Sequence, residues 1–86
     1  MMTEEKKRRP RVVVFSTPTC PHCRHAKQYL KSRGIHFTDV DISRDERAAR
    51  DMVRISGQQG VPVIQINGRP VIGFDRAQID RLLGLN

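Results

Sequence analysis

Cys20 and Cys23 enclose Pro21 and His22 in the stretch STPTCPHCRH, and they are the only two cysteines of the chain. A pair at this spacing has three uses. A structural disulfide across so short a loop constrains the unfolded chain by only about 2 kcal/mol, less than a long loop would. A metal site could combine both thiolates with His22, His25 or His36, but tetrahedral zinc generally needs a second paired cluster, and none follows in the sequence. Thiol-disulfide exchange fits the spacing best. If Cys20 opens a helix, its sulfur faces unpaired backbone N–H groups and the positive end of the helix dipole, which favour the reactive thiolate. Cys23, one turn further in, is then near enough to resolve a mixed disulfide and more buried. Cys20 is therefore read as the nucleophile and Cys23 as the resolving thiol. Pro21 suits the first turn, where its missing N–H has no intrahelical role. A protonated His22 beside Cys20 would favour thiolate further and make the disulfide more oxidising. His25 and His36 read as exposed polar residues.

The flanking sequence predicts the elements that hold this pair. Arg11 to Ser16 is a β-branched run without period-2 polarity, which predicts a strand buried on both faces in the middle of a sheet. From Pro21 to Arg33, Cys23, Ala26 and Leu30 recur at helical spacing, and Gly34 supplies a stop. Ile35 to Ile42 has strand composition, and a crossover helix before it implies parallel pairing with the first strand. Ser43 and Glu46 read as a capping box opening a helix that runs to about Ile55 and stops at Gly57, with Ala48, Ala49, Met52 and Ile55 inward. Val61 to Ile66 reads as a third strand, and Asn67-Gly68 as a two-residue hairpin turn into an antiparallel fourth. Pro70 assigns that fourth strand to an edge. Asp75 with Gln78 forms a second potential capping box, Phe74 and Ile79 match a hydrophobic staple, and Ile79, Leu82 and Leu83 face inward. The order is β-α-β-α-β-β-α.

Composition bounds the rest. A chain of 86 residues is one domain by size, and 37% hydrophobic residues without Trp leave a small aliphatic core. The longest apolar run is far below the roughly 18 residues of a membrane span, and the basic start lacks the apolar stretch of a signal peptide, so a reducing cytoplasm is expected. The net charge of +7 is concentrated in residues 1 to 11 and in Arg24, Lys27, Lys31 and Arg33. The first stretch reads as a solvated tail. With no aromatic residue interleaved, nucleic acid is not the expected partner.

From Arg11 to the end the chain resembles the glutaredoxin branch of the thioredoxin fold, especially glutaredoxin-like proteins and NrdH-type redoxins. The resemblance rests on CPHC after the first strand, Val61-Pro62-Val63 at the third, the Asn67-Gly68 hairpin, and Gly73-Phe74-Asp75 opening the last helix. It implies an α/β thioredoxin-like fold, a four-stranded mixed sheet flanked by three helices, over residues 11 to 86; residues 1 to 10 lie outside the resemblance and read, from their charge, as a basic, flexible tail. It implies that Pro62 is a cis-proline facing the disulfide and tuning it, and that Val61 offers backbone groups to an extended substrate segment. Thr19, Gly60, Gly73, Phe74 and Asp75 would complete the substrate-binding surface, although Asp75 has a sufficient structural role as a cap. Dithiol glutaredoxins commonly carry a basic residue three positions before the first Cys, a Thr before the Val-Pro pair and two adjacent glycines before the last helix. Here those positions hold Thr17, Gly60 and Ile72.

The expected activity is reduction of protein disulfides by a monomer with no bound cofactor and no metal, recycled by glutathione or by thioredoxin reductase as external reductant. The alternatives are a CxxC module that binds a metal or iron-sulfur cluster and a non-catalytic redox sensor.

Overall fold

Val12–Ser16 forms strand β1, and its uninterrupted apolar run has the cause the pattern predicts: both faces of this strand are covered. In the computed structural model, which describes residues 10 to 85, Val12 and Val14 face a cluster with Ala26, Leu30, Ile64, Ile66, Val71 and Ile79. Val13 and Phe15 point the other way, towards Met52 and Val63. The tail expected over residues 1 to 10 lies, apart from Pro10, outside the described residues.

Helix α1, Pro21–Ser32, follows β1 and buries Cys23, Ala26 and Leu30 along one stripe. It ends in a Schellman motif: Gly34, at φ 72°, donates its N–H to the Lys31 carbonyl, and Ile35 donates to the Leu30 carbonyl at 2.9 Å. This corrects the expectation that a strand begins at Ile35. Ile35 belongs to the helix stop, where its side chain packs on the cluster containing Leu30. Strand β2 is accordingly only Thr38–Asp41, parallel to β1, with Val14 opposite Asp39.

Helix α2, Glu46–Ser56, buries Ala48 and Met52 and leaves Ala49 and Ile55 half-buried. Its cap is Asp45, whose carboxylate accepts the Ala48 N–H at 3.0 Å, and not Ser43 as the sequence pattern predicts. Ser43 is engaged one turn earlier, donating both its N–H and its hydroxyl to Asp41 Oδ1. A residue held in that Asx-type turn is unavailable two positions later as a cap.

Strands β3, Val63–Ile66, and β4, Arg69–Ile72, form the hairpin that Asn67-Gly68 predicts, with φ of 50° and 88° at the turn. Val61 and Pro62 precede β3 and do not belong to it. The sheet order β2-β1-β3-β4 puts β1 inside and Pro70 on an edge strand. Helix α3, Arg76–Leu83, is capped by Asp75, which accepts the Gln78 N–H at 3.2 Å; Gln78 returns no side-chain bond to Asp75 among the described residues, so only half of that capping box is made. Helices α1 and α3 cover one sheet face and α2 the other. Among the described residues no helix is long and apolar enough to cross a membrane.

The register fixes where loops gather. Phe15 pairs with Val63 and Val63 with Ile72, so β1 and β4 end where β3 begins. The chain segments after β1, before β3 and after β4 therefore lie at one end of the sheet. A groove of about 530 Å³ lies at the opposite end, beside Val12, Phe37, Thr38 and Gly68.

Candidate active site

Cys20 occupies the N-cap of α1 in extended conformation, with φ −102° and ψ 108°. This is the position whose side chain normally accepts a free N–H of the first turn, and here a sulfur does so: Cys20 Sγ accepts the Cys23 N–H at 3.1 Å. The two cysteines are joined as a disulfide with Cα atoms 5.2 Å apart. Their environments differ as the sequence predicts. Cys20 is half-buried, whereas Cys23 is 0% exposed on the stripe that packs α1 against the sheet. Pro21 stands at the first helical position, and His22 is exposed with its ring edge-on to His25, 6.4 Å between centroids.

The other candidate residues lie in the loops at the same end of the sheet. Thr19 is exposed in the turn before Cys20. The Val61–Pro62 peptide is cis, Pro62 is buried, and its carbonyl accepts the Gly73 N–H at 2.8 Å. That bond ties the loop before β3 to the one after β4. Gly73 has φ 77°, which lets the chain turn from β4 into α3. Phe74 packs on the core with its ring 5.7 Å from Tyr29, and Asp75 is exposed at its cap. Ile72, where two adjacent glycines were the family's habit, is 54% exposed.

Three supporting arrangements escape the sequence reading. Ser16, buried at the end of β1, donates to Asp39 Oδ1 at 2.8 Å, and Lys27 on α1 donates to Asp39 Oδ2 at 2.8 Å. Partial burial pushes the Asp39 carboxyl up, but the bonds from Lys27 and Ser16 and the charges of Lys27 and Lys31 outweigh it and hold the group below its ordinary range. Tyr29 donates its hydroxyl to Asp80 and lies under the Arg76 guanidinium, 4.7 Å from the ring centre, which joins α1 to α3. Gln58 folds back on Gly60 and bonds both its N–H and its carbonyl. No period or motif marks these, because each partner lies on another element or depends on a loop's path. Among the described residues no three His, Cys, Asp or Glu side chains converge on a common point.

A four-stranded mixed sheet with three helices and a CxxC at the start of the first helix define a thioredoxin-fold redox protein. The Glutaredoxin family profile matches residues 12–71. The chain is 46% identical over 72 residues to a glutaredoxin-like 8.6 kDa protein in a rubredoxin operon of Clostridium pasteurianum, covering 84% of this chain and 96% of that one. It is 33% identical over 64 residues to glutaredoxin 3 of Escherichia coli, covering 74% and 77%. Among solved structures, the glutaredoxin-like NrdH-redoxin of Escherichia coli superposes with TM-score 0.75 at 26% identity, over 84% of this chain and 93% of that one. A glutaredoxin of Archaeoglobus fulgidus gives TM-score 0.78 at 25% identity, over 88% of each chain. The chain belongs to the glutaredoxin family.

Proposed function

We propose that this protein reduces disulfides of protein substrates by dithiol exchange through CPHC. The Cys20 thiolate attacks one sulfur of the substrate disulfide, forming a mixed disulfide and releasing one substrate thiolate. Cys23 then attacks the Cys20 sulfur, releasing the second substrate thiolate and leaving the Cys20–Cys23 disulfide. Two electrons have passed to the substrate, and an external reductant returns two electrons and two protons. The observation that carries this reading is the asymmetry of the pair. One sulfur is half-buried at a helix cap and accepts a backbone N–H, as a thiolate would, and the other is wholly enclosed.

On this reading Val61, next to the cis peptide, offers backbone groups to the substrate, with Thr19, Gly73, Phe74 and Asp75 around it. The reductant is a flavin-dependent thioredoxin reductase in a reducing cytoplasm, in preference to glutathione, since Thr17, Gly60 and Ile72 take the places of residues that dithiol glutaredoxins carry there. The NrdH-redoxin, described as a glutaredoxin-like protein with a thioredoxin-like activity profile, lends support.

The test is insulin-disulfide reduction with either glutathione plus its reductase or thioredoxin reductase as the only electron source. Faster turnover with the flavoenzyme is expected, and efficient recycling by glutathione alone would defeat the choice of reductant. Cys23→Ser should accumulate a mixed disulfide through Cys20, and Cys20→Ser should abolish reduction. Mass-spectrometric trapping of substrate on Cys23 in the wild-type reaction would reverse the roles.

A further inference from the structure

Gly60 stands apart from the other glycines. The remaining five have φ between 70° and 88°, where a side chain is strained, so their backbone conformation accounts for them. Gly60 is not in that region, and its conformation makes no demand for glycine. What it lacks is room: a Cβ there would lie 2.9 Å from Gln58 Oε1, whereas a Cβ at any of the other five meets nothing within 4 Å.

Gln58 fills that room for a reason. Its Oε1 accepts the Gly60 N–H at 2.7 Å, and its Nε2 donates to the Gly60 carbonyl at 3.0 Å. A flipped amide would set donor against donor, so the orientation is determined by the backbone it faces. The base of Gln58 is held in turn by Ser56 at the end of α2. The Ser56 hydroxyl accepts the Gln58 N–H at 3.3 Å and lies 2.7 Å from the Met52 carbonyl and 3.0 Å from the Gln58 carbonyl, one of which takes its proton. A continuous set of bonds therefore runs from the last turn of α2 to the residue immediately before Val61.

We infer that Gln58 is a positioning residue: its side-chain amide occupies the backbone of Gly60 as a partner strand would, and so presets Val61 for an extended polypeptide substrate. This rests on the proposed reduction of protein disulfides. Without the bonds, Gly60 is an exposed glycine in a short loop, with more backbone freedom than any other residue type to lose when substrate binds. With them, that ordering is already complete in the free protein. The pair is also reciprocal. Any side chain at position 60 expels the amide, and because the atom it meets is the end of a flexible side chain, the loop itself is not broken.

The experiment is a double-mutant cycle with Gln58→Ala and Gly60→Ala, read by the KM and kcat of insulin reduction and by hydrogen exchange of the Gly60 amide. Each single variant should raise KM by about threefold to tenfold, the scale of one or two surface hydrogen bonds, while kcat holds. The double variant should be no worse than either single one, because both remove the same contact. Gln58→Glu keeps the acceptor for the Gly60 N–H and loses the donor, so its KM should fall between. The Gly60 amide should be protected in the wild type and lose protection in Gln58→Ala. Additive effects on KM, an unchanged KM, or a fall in kcat of the same size would overturn the inference. Failure of the wild-type protein to reduce insulin with either reductant would defeat the proposed function and this substrate role with it, whereas fast Gly60 exchange in an active protein would remove the Gln58 contact alone.

Discussion

His22 stands between Cys20 and Cys23 in the sequence and is exposed, so the tuning proposed for it would act through charge and not through packing. An imidazolium at this place favours thiolate and with it the dithiol form. His22→Tyr should lower the reduction potential by tens of millivolts, about 30 mV for each tenfold change in the exchange equilibrium. Equilibration against a dithiol buffer measures this. Equal potentials for the two proteins would make His22 a bystander. Unfolding of the disulfide form should move by less than about 0.5 kcal/mol, as for most exposed substitutions, because the lost charge acts on the thiolate and so on the dithiol form. The unequal burial of the two cysteines was legible because it depends only on spacing along one helix. Gln58 was not legible, since its bonds exist only once the loop after α2 has turned back on itself.

At the scale of elements, caps decide where the chain changes direction, and they show how far a pattern can be trusted. Ser43 and Glu46 have the spacing of a capping box, yet Asp41 captures the Ser43 hydroxyl and Asp45 does the capping. Two acceptors within three residues compete, and the sequence alone does not rank them. The reassignment makes a prediction: Asp45→Ala should cost about 1 kcal/mol of unfolding free energy, with Asp45→Ser recovering most of it. Ser43→Ala should stay within about 0.5 kcal/mol. Urea unfolding of the three variants checks both, and a larger loss at Ser43 than at Asp45 would contradict the observed cap. Ile35 teaches a similar lesson. Its β-branched side chain suits a strand, but the motif ending α1 claims it first, because Gly34 frees the backbone to close on Leu30.

Across the whole molecule, one polar contact joins three elements: Ser16 on β1, Asp39 on β2 and Lys27 on α1. The Asp39 carboxyl is held below its ordinary range, so the unfolded chain takes up its proton at a higher pH than the folded one does. Its contribution to stability is therefore complete above the usual carboxylate range and is lost as pH falls through the folded value. Side-chain exposures of 25% for Lys27 and 46% for Asp39 keep the pair in the weakly stabilising class, under about 1 kcal/mol. Asp39→Asn should therefore flatten the acid limb of the stability profile below about pH 4 and lose little at neutral pH. Chemical unfolding at several pH values would show it, and an unchanged acid limb would refute it. The strand order around β1 was legible in part. A run apolar on both faces demands a central place, and Pro70 demands an edge, but no residue pattern pointed to Asp39 as the link between β2 and α1.

Cys23 sits on the same buried stripe as Ala26 and Leu30, so the redox atom is also a core atom. Folding and oxidation then form a closed thermodynamic cycle. The difference in unfolding free energy between the disulfide and dithiol forms must equal the difference in reduction potential between the folded and unfolded chain, at about 1.4 kcal/mol for each 30 mV. A substitution that strengthens the packing of α1 only when Cys23 is reduced makes the protein a stronger oxidant by the same free energy. Packing changes along α1 that act on one redox form alone thus move the electron affinity of the site and the melting temperature together, whereas changes felt equally by both forms move only the melting temperature.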